Sequence, residues 1–181
     1  MIHLTKHENS TDDQHDRGHG KRKYVFAEKD VVHWLTVLNQ NRVDKKDGAR
    51  ENTYVSNKTD GKTILIVEDE ELLSEMYEEV FEREGFYVKT AGSGQEALDI
   101  AKKSKPDFVL LDILLPEQNG LYFLEQKKKD PELADIPVIA FSNFDDPHIK
   151  ADAQRLGAKD YLIKTNYTPQ EVVKKVQEYL I

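Results

Sequence analysis

Residues 63–69 read TILIVED, an apolar run that is followed directly by two acidic residues. Such a run is typical of a short strand that is covered on both faces, as the strands of a parallel sheet are. Similar short runs return four times farther along the chain, and segments of helical period lie between them. This alternation predicts a parallel β-sheet whose strands are joined by crossover helices.

The predicted elements are bounded by apolar runs and by helix-start signals. The segments from Ser93 to Glu96 and from Thr168 to Glu171 have the residues of capping boxes, which begin helices. We predict an α/β fold, a doubly wound, flavodoxin-like parallel sheet of five strands in the order 2-1-3-4-5 with five helices. After residues 63–67, the predicted strands are residues 87–91, 108–112, 137–141 and 161–163.

Composition divides the chain into two parts. Residues 1–60 carry a net charge of +1 and are mostly polar, whereas residues 61–181 carry a net charge of −9. A segment with so few apolar residues cannot offset the entropy lost on ordering. We therefore predict a largely disordered N-terminal extension over residues 1–60, with room for one short helix at residues 27–38, and a folded domain over residues 61–181.

Composition also disfavours several classes of function. The acidic domain is poorly suited to nucleic acid, whose phosphates are held mainly by lysine and arginine. The chain has no cysteine, which excludes disulfides and cysteine-based metal sites. No segment has the roughly 18 apolar residues of a membrane-spanning helix, and the N-terminus lacks the apolar run of a signal peptide. We expect a cytoplasmic protein that binds neither nucleic acid nor membrane directly.

Acidic side chains stand where two neighbouring strands of the predicted sheet end. Glu68 and Asp69 follow the first strand, and Asp112 ends the third. In the expected strand order these strands are adjacent at the switch point, where open α/β sheets place their sites. Three carboxylates that close together repel one another unless a cation lies between them. An oxygen-only ligand set of this kind favours Mg²⁺ or Mn²⁺.

Asp112 is the candidate nucleophile of this site. Its carboxylate can attack a phosphoryl group and form an acyl phosphate. Lys164, which follows the fifth strand, could neutralise phosphoryl oxygens together with the metal, and Ser142, after the fourth strand, could donate a hydrogen bond. The acidic loop after the first strand differs from the glycine-rich phosphate cradle of nucleotide and flavin binders, which disfavours such a cofactor role.

Four segments of the chain, in order and spacing, resemble the receiver domains of bacterial two-component response regulators. The resemblance covers residues 63–181 and is carried by ILIVEDE (64–70), LLDILLPEQNG (110–120), IAFSN (139–143) and DYLIK (160–164).

The resemblance implies a role for each candidate site residue. Asp112 would be the phosphoacceptor, and Ser142 and Lys164 would assist the transfer. Ser142 would also be the switch hydroxyl, and Tyr161 matches the family's aromatic switch position. The implied metal ligands are Glu68, Asp69, Asp112 and the backbone carbonyl of Leu114.

Two positions depart from the family pattern. Thr165 stands where the family usually has a proline after the lysine, joined by a cis peptide bond. Because a cis bond before another residue costs about 3 kcal/mol, a trans bond is the natural alternative here. Asn143 replaces a small residue beside Ser142, where it could narrow access to Asp112.

We therefore expect a signalling phosphoacceptor and not an enzyme with a separate substrate. It would accept a phosphoryl group from a histidine kinase or a histidine phosphotransfer protein, and it would catalyse this transfer and its own dephosphorylation. Since no output domain is recognisable after residue 181, its output would be a contact with a downstream protein or a second copy. We expect that contact on the face of the fourth helix, fifth strand and fifth helix, after Tyr161 turns inward.

Two other functions stay open at this point. An aspartate-nucleophile phosphatase shares the acyl-phosphate step, but such enzymes generally have a second acid two residues after the nucleophile, where this chain has Leu114. A scaffold that works without phosphorylation is made conceivable by Asn143 and Thr165. Hydrolysis of a phosphomonoester would indicate the phosphatase, and failure to bind Mg²⁺ would indicate the scaffold.

Overall fold

The computed structural model of the chain describes residues 61–116 and 119–180. The predicted N-terminal extension, with its helix at 27–38, lies outside the described residues, so it stays a prediction, as does a domain boundary near residue 60. The elements are β1 (Thr63–Val67), α1 (Glu71–Arg83), β2 (Tyr87–Ala91), α2 (Gly94–Ser104), β3 (Phe108–Asp112), α3 (Gly120–Lys129), β4 (Val138–Ser142), α4 (Pro147–Arg155), β5 (Asp160–Ile163) and α5 (Pro169–Glu178), with a 3₁₀ turn at Lys164–Asn166.

The five strands form one parallel sheet in the order β2-β1-β3-β4-β5, which confirms the predicted topology. The apolar strands β1 and β3 lie side by side at its centre, with Ile64 opposite Phe108 and Val67 opposite Leu111. Because the two strands run in register, the residues that follow Val67 lie beside Asp112 at the same edge of the sheet.

Two apolar layers cover the sheet. Side chains of α1 and α5, including Phe81 and Val172, pack with alternate strand residues on one face. Side chains of α2, α3 and α4, including Leu98 and Ala153, pack on the other face. The helices are held unequally, since α1 buries five side chains in the first layer whereas α4 buries only Ala153.

The helix ends follow local signals in the sequence. The predicted capping box is complete at Thr168, whose hydroxyl accepts from the Glu171 backbone N–H while the Glu171 carboxylate accepts from the Thr168 N–H. Ser93 caps the Glu96 N–H as predicted, but the Glu96 carboxylate accepts from the Gly92 N–H, one residue before the expected donor.

The fourth strand lies one residue later than the sequence indicated. Pro137 was expected to open it, but proline has no N–H to donate, and only its carbonyl takes part by accepting from the Val109 N–H. The strand continues to Ser142, which is paired with Ile163 of β5. Ser142 is therefore the last residue of β4 and does not lie in the loop behind it.

None of the helices in the described residues is long and apolar enough to cross a membrane.

Candidate phosphorylation and metal site

Three carboxylates meet at the ends of β1 and β3, as the sequence predicted. One oxygen each of Glu68, Asp69 and Asp112 lies within 4.8 Å of the other two. Glu68 and Asp112 are both 5% exposed, so most of their solvation by water is lost. The strand register explains the convergence, because Val67 and Leu111 are partners and each precedes a member of the cluster.

The Lys164 ammonium lies between two of these carboxylates. Its Nζ atom donates to Asp112 Oδ2 at 2.7 Å and also to Glu68 Oε2. Lys164 is fully buried, and a buried ammonium is stable only with such partners. The sequence placed Lys164 near the cluster but did not indicate that it joins two of the carboxylates.

The pKa values at the site reflect burial and mutual charge. Burial raises the pKa of Glu68 to about 7, with a further contribution from the Asp112 charge, and Lys164 opposes both. Burial alone would lower the pKa of Lys164, but the neighbouring charges of Glu68 and Asp112 outweigh it and raise that pKa. The site thus holds the ammonium firmly in its charged form.

The backbone after β5 aims Lys164 at the cluster. All peptide bonds in the described residues are trans, including the one between Lys164 and Thr165, and a 3₁₀ turn begins at the lysine. The Nζ atom lies 5.5 Å from the centroid of the Phe141 ring, a distance at which a cation and an aromatic face attract. Phe141 was not predicted as a site residue, since a phenylalanine inside an apolar strand gives no such signal.

Ser142 and Tyr161 are connected through the backbone of Phe144. The Phe144 N–H donates to Ser142 Oγ at 3.2 Å, and the Tyr161 hydroxyl donates to the Phe144 carbonyl at 2.8 Å. Ser142 is fully buried and Tyr161 is 5% exposed. The Tyr161 ring therefore already points inward in the structure. The inward turn that was expected from the sequence would have to start from a different conformation.

The loop after β3 is ordered by Asp112 and Gly120. The Leu114 N–H donates to Asp112 Oδ1 at 2.7 Å, which fixes the carboxylate. A Cβ atom at Gly120 would overlap the carbonyl oxygen of Asp112, so only glycine fits there without a shift of the backbone. Gly120 was not predicted to have a role, because close approach of two backbones cannot be read from a sequence pattern. The metal-ligand role of the Leu114 carbonyl stays a prediction.

The donor set fits a hard divalent cation. Carboxylate oxygens of three residues within 4.8 Å of one another are ligands that Mg²⁺ and Mn²⁺ prefer. Among the described residues, two buried side-chain atoms lack a hydrogen-bond partner, Tyr77 Oη and Asn143 Oδ1. Asn143 directly follows Ser142, and Tyr77 packs on Phe141 with ring centroids 5.3 Å apart.

Residues 64–177 match the sequence model of the response regulator receiver domain. The chain belongs to this family. The receiver domain is 37% identical to the polar-differentiation response regulator DivK of Brucella ovis over 122 residues, which are 66% of this chain and 96% of DivK. The sequence-based identification of the family is confirmed.

Solved structures share the receiver fold. A CheY-like response regulator receiver domain protein from Methanospirillum hungatei JF-1 is 26% identical, with a TM-score of 0.62 over 66% of this chain and 93% of that protein. The Mn²⁺-bound form of response regulator Rcp1 is 25% identical, with a TM-score of 0.55 over 65% of this chain and 90% of Rcp1. The receiver domain thus has a role in two-component signalling.

Proposed function

We propose that Asp112 is the phosphoacceptor of this receiver domain. The observation that carries the proposal is the position of its carboxylate, which accepts from the Lys164 ammonium and lies within 4.8 Å of carboxylate oxygens of Glu68 and Asp69. The donor would be the phosphohistidine of a histidine kinase or a histidine phosphotransfer protein. An Asp112 oxygen bonds to phosphorus while the phosphorus–nitrogen bond breaks, and the imidazole keeps the bonding electrons and takes up a proton.

The surrounding side chains would stabilise the charge of this transfer. Lys164 neutralises a phosphoryl oxygen, and Ser142 donates its hydroxyl hydrogen to another. Mg²⁺ or Mn²⁺, when bound, would neutralise phosphoryl oxygens as a hard cation. Glu68, Asp69, Asp112 and the Leu114 carbonyl would hold it, and the Mn²⁺-bound form of the similar protein Rcp1 supports a divalent cation of this kind.

Dephosphorylation would use the same groups. Water attacks the phosphorus of the acyl phosphate and releases inorganic phosphate, which returns the Asp112 carboxylate. The domain would therefore catalyse its own phosphorylation and dephosphorylation without acting on a separate substrate. A cytoplasmic location belongs to the same proposal, and the absence of cysteine is compatible with it.

The output would pass from Ser142 to the face formed by α4, β5 and α5. If Ser142 moves toward a phosphoryl oxygen, the hydrogen bond from Phe144 to its Oγ draws the loop after β4 along. The Phe144 carbonyl accepts a hydrogen bond from the Tyr161 hydroxyl, so the displacement of this loop would reach β5. A downstream protein or a second copy of the chain would bind this face, and neither nucleic acid nor a membrane is required.

Intact-mass measurement with acetyl phosphate and Mg²⁺ tests the phosphoacceptor role. We expect a labile gain of one phosphoryl group that disappears in Asp112→Asn and in a sample without metal. Asp99→Asn is the matched control, because Asp99 is an exposed carboxylate on α2 that accepts from the Gln95 side chain. Labelling of Asp112→Asn to the wild-type extent would contradict the proposal.

Backbone amide shifts test the output face. On addition of beryllium trifluoride with Mg²⁺, we expect shifts in the loop after β4 and in β5, beyond those next to Asp112. Shifts confined to the loops around Asp112 would contradict the transmission through Phe144 and Tyr161.

A further inference from the structure

The strand β2 forms one edge of the sheet, and among the described residues it pairs only with β1. The Tyr87 N–H and the Ala91 carbonyl bond the backbone just before and just after β1, so these residues turn their backbone groups inward. In a parallel pair, alternate residues of a strand bond the neighbouring strand. The N–H and C=O groups of Val88 and Thr90 therefore point outward, where no described residue pairs with them.

On the face of the sheet that α2 covers, this edge has an aromatic side chain beside two lysines. Alternate side chains of a strand point to one face, and Ala91 belongs to the apolar layer of α2, so Tyr87 and Lys89 lie on that face too. Lys89 and Lys103 of α2 line one depression of about 280 Å³ with Ile100. Tyr87 is 68% exposed, more than any other large apolar side chain of the described residues.

The charge of this edge differs from that of the rest of the domain. Lys89 and Lys103 are exposed and make no ion pair with any described residue, whereas Lys102 of the same helix pairs with Asp130 at 3.7 Å. Residues 61–181 carry a net charge of −9, so two unpaired ammonium groups at one place are an exception. A carboxylate that is brought to this edge would meet two cations that no ion pair neutralises.

We propose that the outer edge of β2 accepts an extended, acidic segment of a partner protein as a sixth strand. Main-chain hydrogen bonds to Val88 and Thr90 hold the segment. One of its apolar or aromatic side chains packs on Tyr87, and a carboxylate two residues along, on the same face, contacts Lys89 and Lys103.

A second copy of the chain fits this edge less well than an acidic segment does. Symmetric antiparallel pairing of two β2 edges would place the Lys89 side chains of both copies opposite each other, and like charges opposite each other destabilise a strand pair. The surface is separate from the phosphorylation site, so the inference goes beyond the proposed function and does not depend on it.

Amide hydrogen exchange of the full chain, followed by NMR, tests whether the edge is open. We expect the outward amides of Val88 and Thr90 to exchange much faster than the Lys89 amide, which points to β1. Slow exchange of both outward amides in the chain alone would overturn the inference, because the edge would already be covered. Protection that rises with protein concentration would assign the edge to a second copy, and protection independent of concentration would assign it to residues 1–60.

The binding probe is a capped seven-residue peptide of alternating threonine and valine, with tyrosine at its third position and glutamate at its fifth. NMR titration should shift the Val88 and Thr90 amides and slow their exchange. Lys89→Glu should weaken binding roughly tenfold, since an attraction is replaced by a repulsion. A peptide with lysine at the fifth position should reverse the preference and bind Lys89→Glu more tightly than wild type.

Lys102→Glu is the matched control. It makes the same change of charge on the same helix, but Lys102 lines the groove between α2 and α3 and not the depression at β2. Its affinity for the glutamate peptide should stay within about twofold of wild type, because salt screens distant charges. Equal weakening by Lys102→Glu and Lys89→Glu would overturn the inference, as would the absence of any change at Val88 and Thr90 on addition of the glutamate peptide.

Discussion

Replacing Lys164 by methionine should separate the charge of the lysine from its volume. Methionine fills a similar space, but it leaves Glu68 and Asp112 buried without their cationic partner. Removing one member of a buried ion pair leaves an uncompensated charge, which typically lowers the free energy of unfolding by 3 to 5 kcal/mol. We therefore expect Lys164→Met to be strongly destabilising in metal-free buffer and to be rescued by a divalent cation.

The expected magnitude follows from the geometry. At an effective dielectric constant of about 20, two unit charges 2.7 Å apart attract by roughly 6 kcal/mol. Desolvation of the ammonium cancels several kcal/mol of this attraction. Glu68, whose pKa is already raised to about 7, can also take up a proton and relieve the repulsion from Asp112. After these opposing effects, we expect Lys164→Met to lower the free energy of unfolding by about 3 kcal/mol near pH 7, the low end of the usual range.

The loss should depend on pH in a definite direction. Above pH 7 the wild type has released the Glu68 proton, whereas the variant retains it because the lysine charge is missing. The folded variant then binds about one proton more than folded wild type, so its stability falls faster with pH. The difference should grow by up to about 1.4 kcal/mol per pH unit above pH 7.

Urea unfolding at several pH values, with and without Mg²⁺, checks this reasoning. Mg²⁺ should bind the variant more tightly than wild type, because no ammonium competes for the carboxylates, and should restore most of the lost stability. Lys127→Met is the matched control. Lys127 is a second buried lysine, but it donates to the Ala134 carbonyl in the other layer, so Mg²⁺ should not rescue its loss. A loss below about 1 kcal/mol for Lys164→Met would refute the account.

Four further outcomes follow from the structure. Leu114→Asn should shorten the lifetime of the phosphorylated domain, measured by decay of the added mass, because a polar side chain beside the site admits the attacking water. Tyr161→Phe should lower the free energy of unfolding by about 1 kcal/mol through loss of the bond to the Phe144 carbonyl, and should reduce the amide shifts that beryllium trifluoride causes in β5. Thr168→Ala should also lower it by about 1 kcal/mol, seen as a reduced Tm, since the α5 capping box is lost. The raised pKa of Glu68 means that its own contribution to metal-free stability is fully present below about pH 4.5 and is lost as the pH rises through about 7, so urea titrations of Glu68→Gln should lack this part of the decline that wild type shows.

The sequence was sufficient for features that depend on local pattern. Apolar runs located the five strands, because a strand covered on both faces has few polar positions. The carboxylates Glu68, Asp69 and Asp112 were placed together because their strands end at one edge of the sheet, and the structure brings them within 4.8 Å.

Features that depend on the direction of a side chain could not be predicted from the sequence. The link from Lys164 to Glu68 joins residues 96 positions apart, and it depends on which way a long side chain turns. The inward position of Tyr161 depends on a backbone carbonyl at Phe144, which any residue there would offer. Asn143 was expected to narrow access to Asp112, and the structure adds that its side-chain oxygen is buried without a partner.

The weak attachment of α4 lowers the free energy that is needed to move this helix on the sheet. α4 buries Ala153 fully and Ile149 only in part, so fewer apolar contacts oppose its separation from the sheet than oppose that of α1, which is held by five buried side chains. Local opening costs least where burial is least, so the amides of α4 should exchange with deuterium long before those of α1. A helix so loosely held can change partners for a small difference in free energy, and one phosphoryl group acting through a few hydrogen bonds can provide it.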